Sequence, residues 1–145
     1  MKAVVQRVTL GRVTVGSETL GEIGQGLVVL LGIGQGDGEE HAQWMAHKLA
    51  NLRILSDEFG KMNRSILDDR GQVLLISQFT LYGDAQKGHR PGFSGAAPAD
   101  VAAPLVESVA AHLRQEGVTV ATGRFQAHMQ VEIHNDGPVT ILLDR

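Results

Sequence analysis

Gly26-Leu27-Val28-Val29-Leu30-Leu31-Gly32-Ile33, followed at once by Gly34-Gln35-Gly36-Asp37-Gly38, is the stretch that decides the fold class. The run is apolar without alternation, which fits a strand buried on both faces. The glycine-rich turn after it leads into a helical period. Ala42, Met45, Leu49 and Leu52 fall on one stripe, so a helix is expected over about Gly38–Ile54, with Asp37 and Glu40 three residues apart as a capping-box variant. Working outward, Lys2–Leu10 and Arg12–Val15 read as strands split at Gly11, and Gln72–Leu81 (QVLLISQFTL) reads as another. Gln130–His134 and Val139–Leu143 read as a hairpin or paired ends around Asn135-Asp136-Gly137-Pro138. A second helix is expected over about Ala99–Glu116. Leu105, Val109 and Leu113 recur every four residues and Gly117 supplies the stop, while Pro104 would sit best in a first turn.

The order is therefore strands, helix, strands, helix, strands, with 18 glycines among short β-branched runs. That pattern predicts one α+β domain over residues 1–145: a largely antiparallel β-sheet system or barrel-like core with two helices packed on it. Residues 83–98 (GDAQKGHRPGFSGAAP) form the longest loop, and a loop of that size in a compact domain is often functional.

Composition narrows the function classes. Apolar residues make up 43% and charged residues 20%, as in an ordinary globular domain. Without cysteine, disulfides, thiolate catalysis and cysteine-based zinc sites are excluded. Gln6, Arg7 and Thr9 interrupt the apolar residues behind Met1, so no secretory signal is read there. No apolar run approaches the roughly 20 residues a membrane helix needs. No membrane partner and a cytoplasmic location are the expectations. A formal charge of −3 argues against non-specific grip on long nucleic acid, DNA included, but leaves room for a short RNA segment held by a local basic patch.

Several motifs admit two readings. The Gly32–Gly38 turn has the place of a dinucleotide fingerprint, but Asp37 stands where the third glycine belongs, so a plain strand-to-helix turn is expected. His41 and His47 are six apart on a helix and face different ways. His128 and His134 would lie roughly 20 Å apart along a strand. No metal site and no cofactor are expected. Ser77-Gln78-Phe79-Thr80 follows a buried apolar strand and is either an exposed strand face or a strand end presenting hydroxyls and amides to a ligand. On regular strand geometry Ser77 and Phe79 point one way, Gln78 and Thr80 the other. Asn135–Thr140 is either a simple turn or a rigid element in which Pro138 fixes φ and leaves carbonyls as its only polar groups. Lys87, His89 and Arg90 are either solvated surface or a grip for a few RNA phosphates.

Taken together, AVVQRVTLGRVTV, GEIGQGLVVLLG, NLRI, GKMN, SQFTLYGD, RPGFSGAAP and NDGPVT span the whole chain, and the sequence resembles the D-aminoacyl-tRNA deacylases. The resemblance implies a homodimer with active sites at the subunit interface, working without metal or cofactor. It implies that Ser77, Gln78, Phe79 and Thr80 line the pocket for the aminoacyl-tRNA 3′ end. A cis Gly137–Pro138 unit would reach into the partner's pocket, with Val139 and Thr140 behind it and Arg7 bracing it. Phe125 and Met129 carry over as pocket residues. The chain departs from the family's common F-G-A-D-M, reading Phe125-Gln126-Ala127-His128-Met129, and has Gly92 where many members have serine.

The expected reaction is hydrolysis of the D-aminoacyl ester. A main-chain wall stands where an L side chain would go. Glycine has nothing to collide with that wall, so glycyl-tRNA should also be cleaved. For the chemical step, either Thr80 is the nucleophile or orients water, or amides near Phe79 stabilise the oxyanion with help from the ribose 2′-hydroxyl. The second is favoured because no base for Thr80 is evident in the sequence. A binding module that holds an RNA end without cleaving it, and a metal-dependent hydrolase, are the rival readings.

Overall fold

The computed structural model describes all residues 1–145. The elements are β1 (Lys2–Val15), β2 (Glu18–Ile23), β3 (Gly26–Gly32), α1 (Glu39–Asn51), β4 (Leu55–Ser56), β5 (Met62–Arg64), α2 (Ile66–Asp69), β6 (Gln72–Ser77), a 3₁₀ turn (Phe79–Tyr82), α3 (Ala99–Gln115), β7 (Thr119–Thr122) and β8 (Gln130–Asp144). The principal sheet runs β2-β1-β3-β6-β7, with β8 on the other side of β1. It is a mixed, barrel-like sheet in an α+β fold, with α1 and α3 as its two long helices. β1 pairs antiparallel with β2, β3 and β8, while β3–β6 and β6–β7 are parallel. The parallel pairs follow from connectivity: α1 lies between β3 and β6 in the chain, and α3 between β6 and β7, and a parallel pair needs such a crossover.

The unalternating β3 run behaves as its composition requires. Leu27, Val29 and Leu31 join the large core shared with α1 and α3, while Val28 joins a second, smaller core with Val8, Val13, Ile23, Leu74 and Ile76. β6 divides its side chains the same way, with Val73 and Leu75 on the helix side. β3 and β6 thus separate two apolar layers, and each fully buried side chain contributes about 1.5–3 kcal/mol.

Four expectations change. β1 is continuous through Gly11, where an added Cβ would lie 2.5 Å from Val28 Cγ2; the glycine answers close packing, not a break. Asp37 does not cap α1. Its carboxylate accepts from the Met1 amine at 2.8 Å and the Gly34 amide at 2.6 Å, while His41 Nδ1 accepts from the Gly38 amide at the helix start. Pro104 sits inside α3 rather than in its first turn, and the helix begins at Ala99 all the same. Residues 130–144 are one strand, not a hairpin, because both halves pair with β1.

α1 and α3 are also linked on their outer faces. Glu39 accepts from Ser108 Oγ at 2.8 Å and lies 2.6 Å from His112 Nε2, and these hydrogen bonds hold its carboxyl below the usual range.

Candidate active site

The site is assembled where β6 runs out. Val73–Ile76 are buried, and Ser77 is the last residue of the strand. Gln78 donates its amide to Leu31 O at 2.7 Å, which extends the β3 contact by one residue. The chain then leaves the sheet as the 3₁₀ turn Phe79–Tyr82, so the strand-like alternation expected for Ser77–Thr80 does not occur. Its cause is Tyr82. The Tyr82 ring packs against Gly34 so closely that an added Cβ there would lie 2.4 Å from the hydroxyl, and Gly32 and Gly95 leave similar room at 3.3 Å from the ring. The glycine turn after β3 is thus a bed for Tyr82. The Lys2 ammonium lies 4.9 Å from the ring centre on the aromatic face. Burial, with Asp37 and Asp144 nearby, pushes the phenol up to about 12, so it stays protonated through the physiological range.

Ser77, Gln78 and Phe79 line one wall of a cavity of about 580 Å³, and Phe125 and Met129 line it from the segment before β8. All five had been singled out in the sequence. Thr80 does not line it; its hydroxyl accepts from the Gln78 side-chain amide, and no histidine or carboxylate bonds to it. Phe79 is 56% exposed and meets Phe93 edge to face, with ring centres 5.1 Å apart. The amides of Phe79 and Thr80 lead the 3₁₀ turn, where the first N–H groups lack intrahelical carbonyls. None of the turn and loop hydrogen bonds uses them.

Sequence reasoning missed Ile33 and the small residues Ala97, Ala99 and Ala102, which widen the cavity from β3 and the start of α3. Their signal was the Ala-Ala-Pro-Ala run ahead of the second helix. Gln126, Ala127 and His128 line the cavity as well. Gln126 sits at φ +61, a left-handed conformation that favours glycine. Met129 lies over Gly123, whose added Cβ would come 2.6 Å from the sulfur. No group of three His, Asp or Glu side chains stands together with metal-binding geometry.

The second predicted element lies elsewhere. None of residues 135–140 lines the cavity. The Gly137–Pro138 bond is cis. In the β1–β8 ladder, Val8 faces Asn135 and Gln6 faces Thr140, so the chain from 136 to 139 rises as a ridge opposite Arg7 alone. Gly137 and Pro138 are exposed at its crest. Arg7, whose side chain is 11% exposed, braces it: Nε donates to Asp136 O at 3.0 Å and Nη1 to Ile54 O at 2.8 Å. Asn135 Oδ1 accepts from the Val139 amide at 2.8 Å, and the Thr140 hydroxyl accepts from Gln6 and Asn135.

Residues 4–144 match the family model described as D-Tyr-tRNA(Tyr) deacylase. The D-aminoacyl-tRNA deacylase of Heliobacterium modesticaldum is 62% identical over 99% of this chain and 96% of its own length. That of a Roseiflexus species is 60% identical over 99% of this chain and 93% of its own. Among solved structures, the c-Myc DNA Unwinding Element Binding Protein superposes with a TM-score of 0.93 at 44% identity, covering 100% of this chain and 99% of the other. A probable eukaryotic D-amino acid tRNA deacylase has a TM-score of 0.84 at 17% identity over 99% of this chain and 98% of its own, a likeness of fold.

Proposed function

The chain belongs to the D-Tyr-tRNA(Tyr) deacylase family and is a hydrolase of the aminoacyl-tRNA ester; on that premise we propose that it frees tRNA from D-amino acids in the Ser77–Phe79 cavity, with L-substrates turned away by the Gly137–Pro138 ridge of a second copy. The observation that carries the two-copy arrangement is the separation of the ridge from the cavity within one protomer. An arrangement in which each ridge enters the other copy's cavity completes both sites. β8 has β1 as its only strand neighbour, so its outer edge is free for such a contact, and Leu142 on it is 75% exposed.

In this reading, water attacks the ester carbonyl carbon and the carbonyl oxygen becomes an oxyanion. The amides of Phe79 and Thr80 are the donors that meet it, and one such donor contributes about 2.7–4 kcal/mol to the transition state. The intermediate collapses by breaking the bond to the ribose oxygen. The water's proton passes to that leaving oxygen by way of the neighbouring ribose 2′-hydroxyl. Thr80, bonded to the Gln78 amide and without a base, orients the turn and does not attack. Thr80→Ala should therefore keep kcat on D-tyrosyl-tRNA within about tenfold of the parent, under about 1.4 kcal/mol of barrier; complete loss of turnover with tRNA binding intact would assign the attack to Thr80.

Selectivity follows from stiffness. A ridge crest made of main chain and a proline ring has no rotamers with which to yield, so an L side chain collides while a D side chain points away. Glycine presents nothing to exclude. Incubation with D-tyrosyl-, L-tyrosyl- and glycyl-tRNA tests the whole reading: release of the first and third with the second intact is expected. Binding of charged tRNA without release of D-tyrosine would make this a binding module, and a D-specific activity that spares glycine at high enzyme would rule out pure exclusion.

A further inference from the structure

Resting on the deacylase reading, we propose that the hairpin over residues 84–92 is a phosphate clamp for the single-stranded 3′ segment of the tRNA, with Lys87 and Arg90 as its contacts. The hairpin leaves the cavity wall directly: the 3₁₀ turn that carries Phe79 ends at Tyr82, and the Asp84–Gly92 bridge closes the hairpin two residues later, with N–H···O bonds of 2.8 Å in both directions. Asp84 Oδ1 accepts from the Gln86 amide at 2.9 Å, and Gly88 at φ +76 makes the reversal at the tip. Lys87 and Arg90 therefore flank a fixed turn, and both are exposed.

Their lack of partners is informative. Across the chain most cations are engaged: Arg7, Arg12, Arg64 and Arg124 with carboxylates, Arg53 and Arg114 with carbonyls, Lys2, Lys48 and Arg145 with aromatic faces. Lys87 and Arg90 have none of these, nor do Lys61 and Arg70, but only the first two stand on the hairpin that leaves the cavity wall, in a protein that carries a net −3. Two free cations within four residues, beside the site and in an acidic protein, make a local positive feature of the kind RNA phosphates seek.

The reach fits. Lys87 stands three positions after Asp84, about 10 Å of extended chain. With the terminal ester in the cavity, the preceding nucleotides leave its mouth past Phe79 and Phe93, which are 56% and 36% exposed and present ring faces of the sort on which bases stack. The hairpin tip then lies beside the following phosphates.

The test compares the parent with Lys87→Gln/Arg90→Gln on two substrates, D-tyrosyl-tRNA and the 3′-D-tyrosyl ester of adenosine, which has no phosphates. On the tRNA, KM should rise at least tenfold near physiological salt, with kcat changed less than twofold. The slope of log(kcat/KM) against log salt should flatten by about 1.4, since each phosphate contact on a single strand contributes about 0.7. On the adenosine ester the two proteins should be indistinguishable, and Lys87→Arg should keep the parent KM on tRNA. An unchanged KM and salt slope on tRNA would overturn the clamp and leave the deacylase reading standing. An equal loss on both substrates would mean a structural role for the hairpin and would overturn it too. A parent inactive on D-tyrosyl-tRNA would sink the deacylase reading itself.

Discussion

Gly137→Ala is expected to lower the ratio of D- to L-tyrosyl-tRNA hydrolysis by at least tenfold, about 1.4 kcal/mol of discrimination. A Cβ at this position would lie 2.9 Å from Val139 Cγ2 and 3.1 Å from Arg7 Nη2, at a φ of +130 that side chains rarely adopt. One of those neighbours must move. If Arg7 moves, it leaves the Asp136 and Ile54 carbonyls that it holds; if Val139 moves, the crest shifts with it. Either way the wall that meets the L side chain is displaced. The strain at φ +130 and the loosened Arg7 contacts should also lower the thermal midpoint, so the ratio is read at a temperature where the variant is folded. Separate kcat/KM values for the two enantiomers are the measurement. A folded variant with an unaltered ratio would mean that the ridge takes no part in chiral selection.

Gly26→Ala is expected to cost about 3 kcal/mol of stability, at the severe end of overpacking. The added Cβ would stand 1.9 Å from Gln72 O and 2.7 Å from Gln72 N. These are main-chain atoms of β6 paired directly across the sheet, so no rotamer change relieves the clash. Gly24→Ala is the matched control: its Cβ would meet nothing closer than Gln72 Oε1 at 4.0 Å, and it should lie within about 0.5 kcal/mol of the parent. Urea midpoints of the two variants decide the matter. Equal midpoints would mean that β3 and β6 can part at their first residues without penalty.

The two predictions fall on parts of the molecule that the sequence revealed to different degrees. β3 was legible because its burial on both faces is written in every position, and the two long helices because their stripes repeat over several turns. β2 (Glu18–Ile23) and β7 (Thr119–Thr122) were missed: the first mixes two glutamates and a glycine into six residues, the second is four residues long, and neither carries a period. The error at Ser77–Thr80 has a distant cause. Ser77, Gln78 and Phe79 line the cavity and Thr80 does not, and the expected alternation fails because Tyr82 draws the chain off the sheet onto Gly32 and Gly34, contacts that no local pattern records. Of the two readings around residue 136, a hairpin or paired ends, the hairpin fails for a similar reason. Asn-Asp-Gly-Pro is good turn chemistry, yet β1 is long enough to pair with both flanks and hold them in one line. Of the site, the motif residues were legible, whereas the alanines that give the cavity its width became meaningful only once α3 was placed beside β6.

The jump in ladder register across the ridge has a consequence for chain length. Both flanks are tied to the same strand, so the four residues from 136 to 139 form an insert of fixed count. Removing one would carry 140–144 a single step along β1 and turn Ile141 and Leu143 from the core toward water. A change of length here disturbs the register of the strand, which a change of side chain leaves in place.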